Sequence, residues 1–462
     1  MKSRFVYLLI SVGLTLTNAV AQTKPLPTIR VKSNTLVMYV DGQRDNFNGV
    51  SYIPNPFSYS FGLEKDSVAF ALVSETDSIV MALRYGLPTD FQVVRIDKGD
   101  TIACHFSSHK LVKAAVFSEA YKKANEGKTI IDVPEVYELM NVVFALTEYG
   151  KTDAIYKETP YYREMMTYFS AHKNHRAVQV IDSVLIKSGD DYFNLKMDSY
   201  AYQFMGNEIW KGAVYDRVSW GEINSLDPYI RLLTQFAKQS NFRAFYQKHK
   251  PYYAGLVTDF QQNVGIPIMK RWLETQFPTT HYSAVKVIFS PLVGWNQSAN
   301  NFSDNGFTEA QAHVDFPFVD VEQKKQSAEI IRGQRMKIVF TEINHSYLNP
   351  EAEKYNQQVA LAFADMSNWV TPKTPSMNYD NSLSCFEEYM NYGLVTLLYH
   401  DLFDQKTFET LRASLEKGMV KTRGFRRFAE FDQELLRLYK TKNPGQTVAD
   451  LYPAILAWAA KP

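Results

Sequence analysis

Hydrophobic positions recur with period two, or in short unbroken runs, from Thr28 to about Ser107. Thr35–Val40, Ser67–Val73 and Ser78–Leu83 are such segments, and Asp41-Gly42, Asn55-Pro56, Gly86 and Lys98-Gly99-Asp100 separate them. Short strands broken by turn residues at this spacing predict a β-sandwich or a related sheet domain. After Pro134 the period lengthens. Val136, Leu139, Met140, Val143 and Leu146 share one face of a helix, and Gly150 is its predicted stop. Helical patterns then dominate from Tyr161 to Thr275. Residues 283–340 return to extended segments, notably Ser283–Phe289 and Met336–Phe340, and from Thr341 the chain reads as mostly helical. The expected fold class is therefore α+β, with a β-rich, sandwich-like domain over residues 22–115. A mainly helical domain with a small sheet follows over residues 116–462. No repeat or low-complexity tract interrupts this order, and no glycine-rich loop opens a helix, so nucleotide binding has no support.

The first 21 residues read as a signal peptide. Lys2 and Arg4 give a positive start, Phe5–Leu16 is an apolar run, and Ala19-Val20-Ala21 is a small-x-small cleavage site. The run is shorter than the ~20 residues that span a bilayer, and no later segment reaches that length. The mature chain is expected to begin at Gln22 and to be periplasmic or secreted, without a transmembrane segment. With 50 basic and 49 acidic side chains, there is no basic field for nucleic acid. Aromatic residues make up 14% of the chain, which excludes disorder. Cys104 and Cys385 are the only cysteines, and either a disulfide or two buried thiols fits an exported protein.

One stretch, Lys337–Pro350, combines residue types that carry chemistry. An apolar strand is predicted to run into a helix that opens Thr341-Glu342-Ile343-Asn344-His345. In an HExxH helix two histidines four apart share a face and bind zinc, and the intervening glutamate polarises the metal-bound water. Here Glu342 stands as general base and His345 as a metal ligand. Thr341, a poor zinc ligand, holds the first histidine position. Ser384–Tyr392 opens another apolar helix, on which a carboxylate could supply a further ligand. Glu388 is the better candidate, since Phe386, Tyr389, Met390 and Gly393 predict a partly buried neighbourhood.

The segment leading into Thr341, the ending His345 to Asn349-Pro350 and the later Glu388-Tyr389 helix resemble domain-of-unknown-function family 4932. It is a zinc-peptidase-like family found mainly in exported proteins of Bacteroidetes. Lys173–Val178 and Pro291–Ser298 add to the resemblance, the second being similar to that family's edge strand. The resemblance covers about Pro160 to the C-terminus. It implies a metallopeptidase-like domain of gluzincin type, with zinc-assisted hydrolysis of a peptide or protein substrate as the ancestral reaction. Mapped residue by residue, it implies His345 and Glu388 as zinc ligands, Glu342 as general base, and one ligand missing at Thr341.

Three readings stay open. The first is a working zinc site. The second is a non-catalytic exported binding protein, for peptide or glycan, that keeps the degenerate cleft. The third is an ordinary helix in which Glu342 and His345 merely occupy early turns. The first two require His345 and Glu388 to converge. Other features read more plainly. His105 and His109 flank Ser107-Ser108 beside a strand, His172 and His175 sit at a helix end, and His400 lies about three turns beyond Glu388. Tyr252-Tyr253, Trp210 and Trp220 are core residues or the lining of a groove. The basic run Lys421–Arg427 reads as a solvated turn.

Overall fold

A computed structural model of the chain describes residues 25–32, 36–45, 55–74, 76–295, 297–379 and 381–461. The expected signal peptide, residues 1–21, lies outside them, as does Asn296 of the segment Pro291–Ser298. The chain divides between Val112 and Lys113 into two compact units.

The first unit is strand-rich, as the alternation predicts. Its strands are β1 (Thr28–Val31), β2 (Leu36–Val40), β3 (Gln43–Asp45), β4 (Phe57–Leu63), β5 (Ser67–Ser74), β6 (Ser78–Arg84), β7 (Thr89–Arg95) and β8 (Asp100–Lys110). They form two sheets, in the orders β1-β7-β8-β4 and β3-β2-β5-β6. β5 shows the cause: Val68, Phe70 and Leu72 are buried while Ser67, Ala69 and Val73 face outward. The inner faces of both sheets share one core, in which the rings of Phe91 and Phe106 meet edge to face at 4.8 Å.

The second unit is mainly helical around a small sheet. Its strands are β9 (Thr129–Asp132), β10 (Tyr202–Met205), β11 (Glu208–Lys211), β12 (Ala284–Ser290), β13 (Ser298–Asp304) and β14 (Phe307–Asp315). The sheet runs β13-β14-β12-β9, with β13 antiparallel to β14 and the other pairs parallel. The helices before and between the strands are α1 (Glu119–Asn125), α2 (Glu135–Leu146), α3 (Pro160–Phe169), α4 (Arg176–Lys187) and α5 (Asp191–Asp198). α6 (Ile230–Gln239), α7 (Phe242–Asn263) and α8 (Ile266–Gln276) lead into β12. The C-terminal half adds α9 (Ala328–Glu353), α10 (Asn356–Ala362), α11 (Ser382–Leu402), α12 (Gln405–Lys417), α13 (Phe428–Thr441) and α14 (Tyr452–Ala459). Among the described residues no helix is long and apolar enough to cross a membrane.

Two expectations are overturned. Met336–Phe340 is not a strand but the middle of α9, a 26-residue helix that starts at the Ser327 cap, whose hydroxyl accepts the Ile330 amide at 3.3 Å. Its buried positions Met336, Val339, Phe340, Ile343 and Tyr347 follow a helical period. A short apolar run alone does not separate a buried strand from a buried helix. The helical tract from Tyr161 to Thr275 is interrupted by the hairpin β10–β11, whose turn is Gly206 at φ +60.

α9 packs along α11 and against β14. α9 also meets α12 closely at Gly333, where a Cβ would run into the Leu411 side chain. Tyr399 of α11 donates its hydroxyl to the Gly333 carbonyl at 2.7 Å. The pair α9–α11 thus forms a closely packed frame, largely buried along its contact, and the candidate residues sit on it.

Candidate functional site

Thr341, Glu342 and His345 fall in the middle of α9, and Glu388 lies about two turns into α11 after the Asn381 cap. The two helices bring His345 Nε2 to 3.8 Å from Glu388 Oε2. The convergence expected from the sequence is therefore present. The contacts around it are of a kind the sequence did not suggest.

Both facing atoms are already engaged. The Asn391 amide, three residues after Glu388, donates to Glu388 Oε2 at 3.2 Å and to His345 Nε2 at 2.9 Å. A carboxylate accepts only, so the amide atom between the two must be the nitrogen. His345 in turn donates from Nδ1 to Asn349 Oδ1 at 3.2 Å. The other oxygen of Glu388 takes the guanidinium of Arg423, at 2.7 Å from Nη2. Glu388 is 3% exposed, so this is a buried, charge-assisted contact.

Arg423 corrects the reading of Lys421–Arg427 as a solvated turn. Gly418–Arg423 is a π-helical turn, and Gly424 closes it at φ +86, against Thr374. The guanidinium is stacked 4.7 Å from the Tyr392 ring centroid and 5.3 Å from that of Phe425, and it donates to the Tyr379 hydroxyl at 3.1 Å. Arg426 and Arg427 are held as well, the first on the Ser367 carbonyl at 2.9 Å, the second between Trp369 and Trp458.

Thr341 lies on the same face as His345, one turn earlier, and is 3% exposed. Its hydroxyl donates to the Ile338 carbonyl at 3.3 Å and stands 3.5 Å from Glu342 Oε1. Burial pushes the Glu342 carboxyl up to about 7; the adjacent His345 pulls it down, Glu388 pushes it further up, and Lys196 and Arg423 oppose. Lys196, on α5, is fully buried, and burial pushes its amine down to about 7 against the pull of Glu342 and Asp315. Asp315, at the end of β14, is pushed up by burial to about 6 despite Gln297, Lys196 and Lys337. Burial also lowers Lys337, one turn before Thr341. Three carboxyls and three cations thus share this region, most of them moved far from their ordinary values. Such groups cluster at functional sites.

The folded chain keeps the Glu342 proton to a higher pH than the unfolded chain, whose carboxyl titrates near 4.5. Its contribution to stability therefore falls as pH rises from 4.5 towards 7. Glu342→Gln removes that fall, so the stability difference between pH 5 and pH 8 should shrink by roughly 2–3 kcal/mol relative to wild type. Urea unfolding followed by tryptophan fluorescence measures it, and equal pH dependence in the two proteins would contradict the desolvation of the Glu342 carboxyl.

As arranged, the donor set does not fit zinc. A protein zinc site needs three or four donors close to the metal. Here two donors converge, the side chain in the third position is a threonine, and a guanidinium already neutralises Glu388. Among the described residues no cluster of three or more His, Cys, Asp or Glu side chains is placed to hold a metal ion. Sequence reasoning did not find Asn391, Arg423, Lys196 or Asp315. The three-residue step from Glu388 to Asn391 on one helix was the one local signal available.

The remaining sequence candidates lie elsewhere. His105 pairs with Asp90 at 2.9 Å and His109 with Ser60 at 3.1 Å, so they face separate partners. His175 caps α4 by accepting the Ala177 amide at 3.1 Å, and His172 ends a short 3₁₀ turn. His400 sits beside Asp401 at 3.0 Å. Cys104 and Cys385 are buried free thiols, each pushed up to about 12 by burial. Tyr253 is core, bonded to the Tyr161 hydroxyl at 2.7 Å, whereas Trp210 and Trp220 are each 57% exposed.

The model of one protein family, described as Domain of unknown function (DUF4932), matches residues 129–458. No curated protein and no solved structure matches the chain.

Proposed function

Since the chain belongs to the DUF4932 family, we propose that it is an exported, metallopeptidase-like binding protein whose peptidase centre has become a metal-free polar anchor. The observation that carries this reading is the ion pair between Arg423 and Glu388 at 2.7 Å. A carboxylate held by an internal cation and an amide has little affinity left for a divalent ion, because the metal must displace both and approach a fixed positive charge. In this reading the ancestral reaction was gluzincin-type peptide hydrolysis, Thr341 marks the lost histidine, and Arg423 replaced the charge the metal once supplied. The convergence of His345 and Glu388 favours descent from such a site over a chance Thr-Glu-x-x-His. What survives is a buried set of paired charges, and the binding role for a peptide or glycan falls to the surface around it. Export rests on the charged start, the apolar run and the Ala-x-Ala site at residues 1–21.

The test is zinc titration of the mature chain after chelator treatment, with a peptide-hydrolysis assay run in the presence of zinc. No stoichiometric tight binding and no cleavage is the expected outcome. One equivalent of tightly held zinc, together with cleavage that disappears in Glu342→Gln, would replace this reading with that of a working peptidase.

A further inference from the structure

The hairpin β10–β11 and helix α6 flank an open surface cleft of about 340 Å³ that shares no residue with the α9–α11 site. Its size is at the small end of the ~300–1,000 Å³ range of small-molecule sites, so it suits a single ring. Strand alternation on β11 sends Ile209 into the core and leaves Trp210 57% exposed on the cleft wall. The facing wall is equally sorted. α6 buries Leu233, Phe236 and Ala237, while Arg231, Gln235 and Lys238 stand exposed at i, i+4 and i+7. Ile209 and Ile230 give the cleft an apolar floor. Lys238 is ion-paired with Glu208, so that pair adds no net charge. Arg231 has no ion pair among the described residues.

This combination selects a ligand chemistry. A lipid tail needs apolar walls throughout, which Glu208, Arg231 and Gln235 deny it. A nucleotide's phosphates need several free cations, and Arg231 is the single uncompensated charge lining the cleft. A pyranose ring fits both demands. Its C–H face is apolar and slightly positive, matching the negative face of an indole, and its hydroxyls match carboxylate and amide side chains. A carboxylate on that ring would meet Arg231, whose planar fork binds carboxylates in two parallel hydrogen bonds. We propose that the Trp210–Arg231 cleft is a saccharide subsite taking one hexuronate unit, its ring on Trp210, its hydroxyls on Glu208 and Gln235, and its carboxylate on Arg231. The subsite is independent of whether the α9–α11 site binds metal.

Methyl β-glucuronide and methyl β-glucoside titrated into the full mature chain, followed by calorimetry and tryptophan fluorescence, test it. The glucuronide should saturate in the millimolar range, about 10-fold or more tighter than the glucoside. Trp210→Ala should weaken both sugars by about 10-fold or more. Arg231→Gln should level the two by weakening the glucuronide alone. Both substitutions are at exposed positions, and unchanged thermal unfolding would show that the variants fold. Absence of saturation by either sugar, or binding indifferent to Trp210→Ala, overturns the proposal. A preference unchanged in Arg231→Gln overturns its carboxylate half. Displacement of the glucuronide by an acidic peptide of lower dissociation constant would assign the cleft to a protein partner instead.

Discussion

Arg423→Met is expected to destabilise the second unit by about 3–5 kcal/mol at neutral pH, the usual cost of leaving one partner of a buried ion pair alone. Glu388 is 3% exposed, and without the guanidinium it would retain only neutral donors, the Asn391 amide and the Tyr379 hydroxyl, with the more distant His345 beside it. The substitution also removes the stacking on Tyr392 and the hydrogen bond to Tyr379. Glu388→Gln in the same chain should recover much of the loss, because a neutral amide needs no counter-charge. Arg423→Lys should fall between, keeping the charge but not the fork or the stacking. All six tryptophans (210, 220, 272, 295, 369 and 458) lie in residues 113–462, so urea unfolding read by their fluorescence reports this unit alone. A change below about 0.5 kcal/mol for Arg423→Met would mean that the pair is surface-like and carries little energy.

The second large effect concerns zinc. Thr341→His places an imidazole one turn before His345, yet alone it should bind zinc weakly, since Arg423 still holds Glu388. Combining it with Arg423→Met should strengthen binding by about 100-fold or more relative to the single variant, because a ligand set is completed and a fixed positive charge removed. Zinc should then also raise the unfolding temperature of the double variant, as any ligand of the folded state does. Calorimetric titration of both variants measures the difference, with Glu388→Ala in the double variant as control. Tight binding by Thr341→His alone would show that Arg423 yields easily and that the missing imidazole was the whole obstacle.

Much of the fold was legible in local pattern. The alternation of Val68, Phe70 and Leu72 announces a strand with one buried face, and Val136, Leu139, Met140 and Val143 announce a helix. Met336–Phe340 misled because apolar residues fill both the buried stripe of α9 and its flank, so period two and period 3.6 look alike over five positions. The hairpin β10–β11 is two four-residue strands, too short to show any period. Within the site, Glu342, His345 and Glu388 were legible because helix spacing and a motif link them. Arg423 was not. Its partner is 35 positions away on another helix, and nothing in Lys421-Thr422-Arg423 distinguishes an arginine turned inward from one turned to solvent.

The π-helical turn at Gly418–Arg423 bears on how other sequences of this family are to be compared with this one. A π turn closes its hydrogen bonds at i→i+5 where an α turn uses i→i+4, so it accommodates one more residue in the same rise. The aim of the Arg423 guanidinium is therefore encoded in a residue count between α12 and Gly424 as much as in the arginine itself. A relative that keeps an arginine here but is one residue shorter would turn it about 100° around the helix axis, away from the carboxylate. Alignment gaps in this segment, rather than residue identity, would then separate relatives with an internal cation from those whose carboxylate is left open.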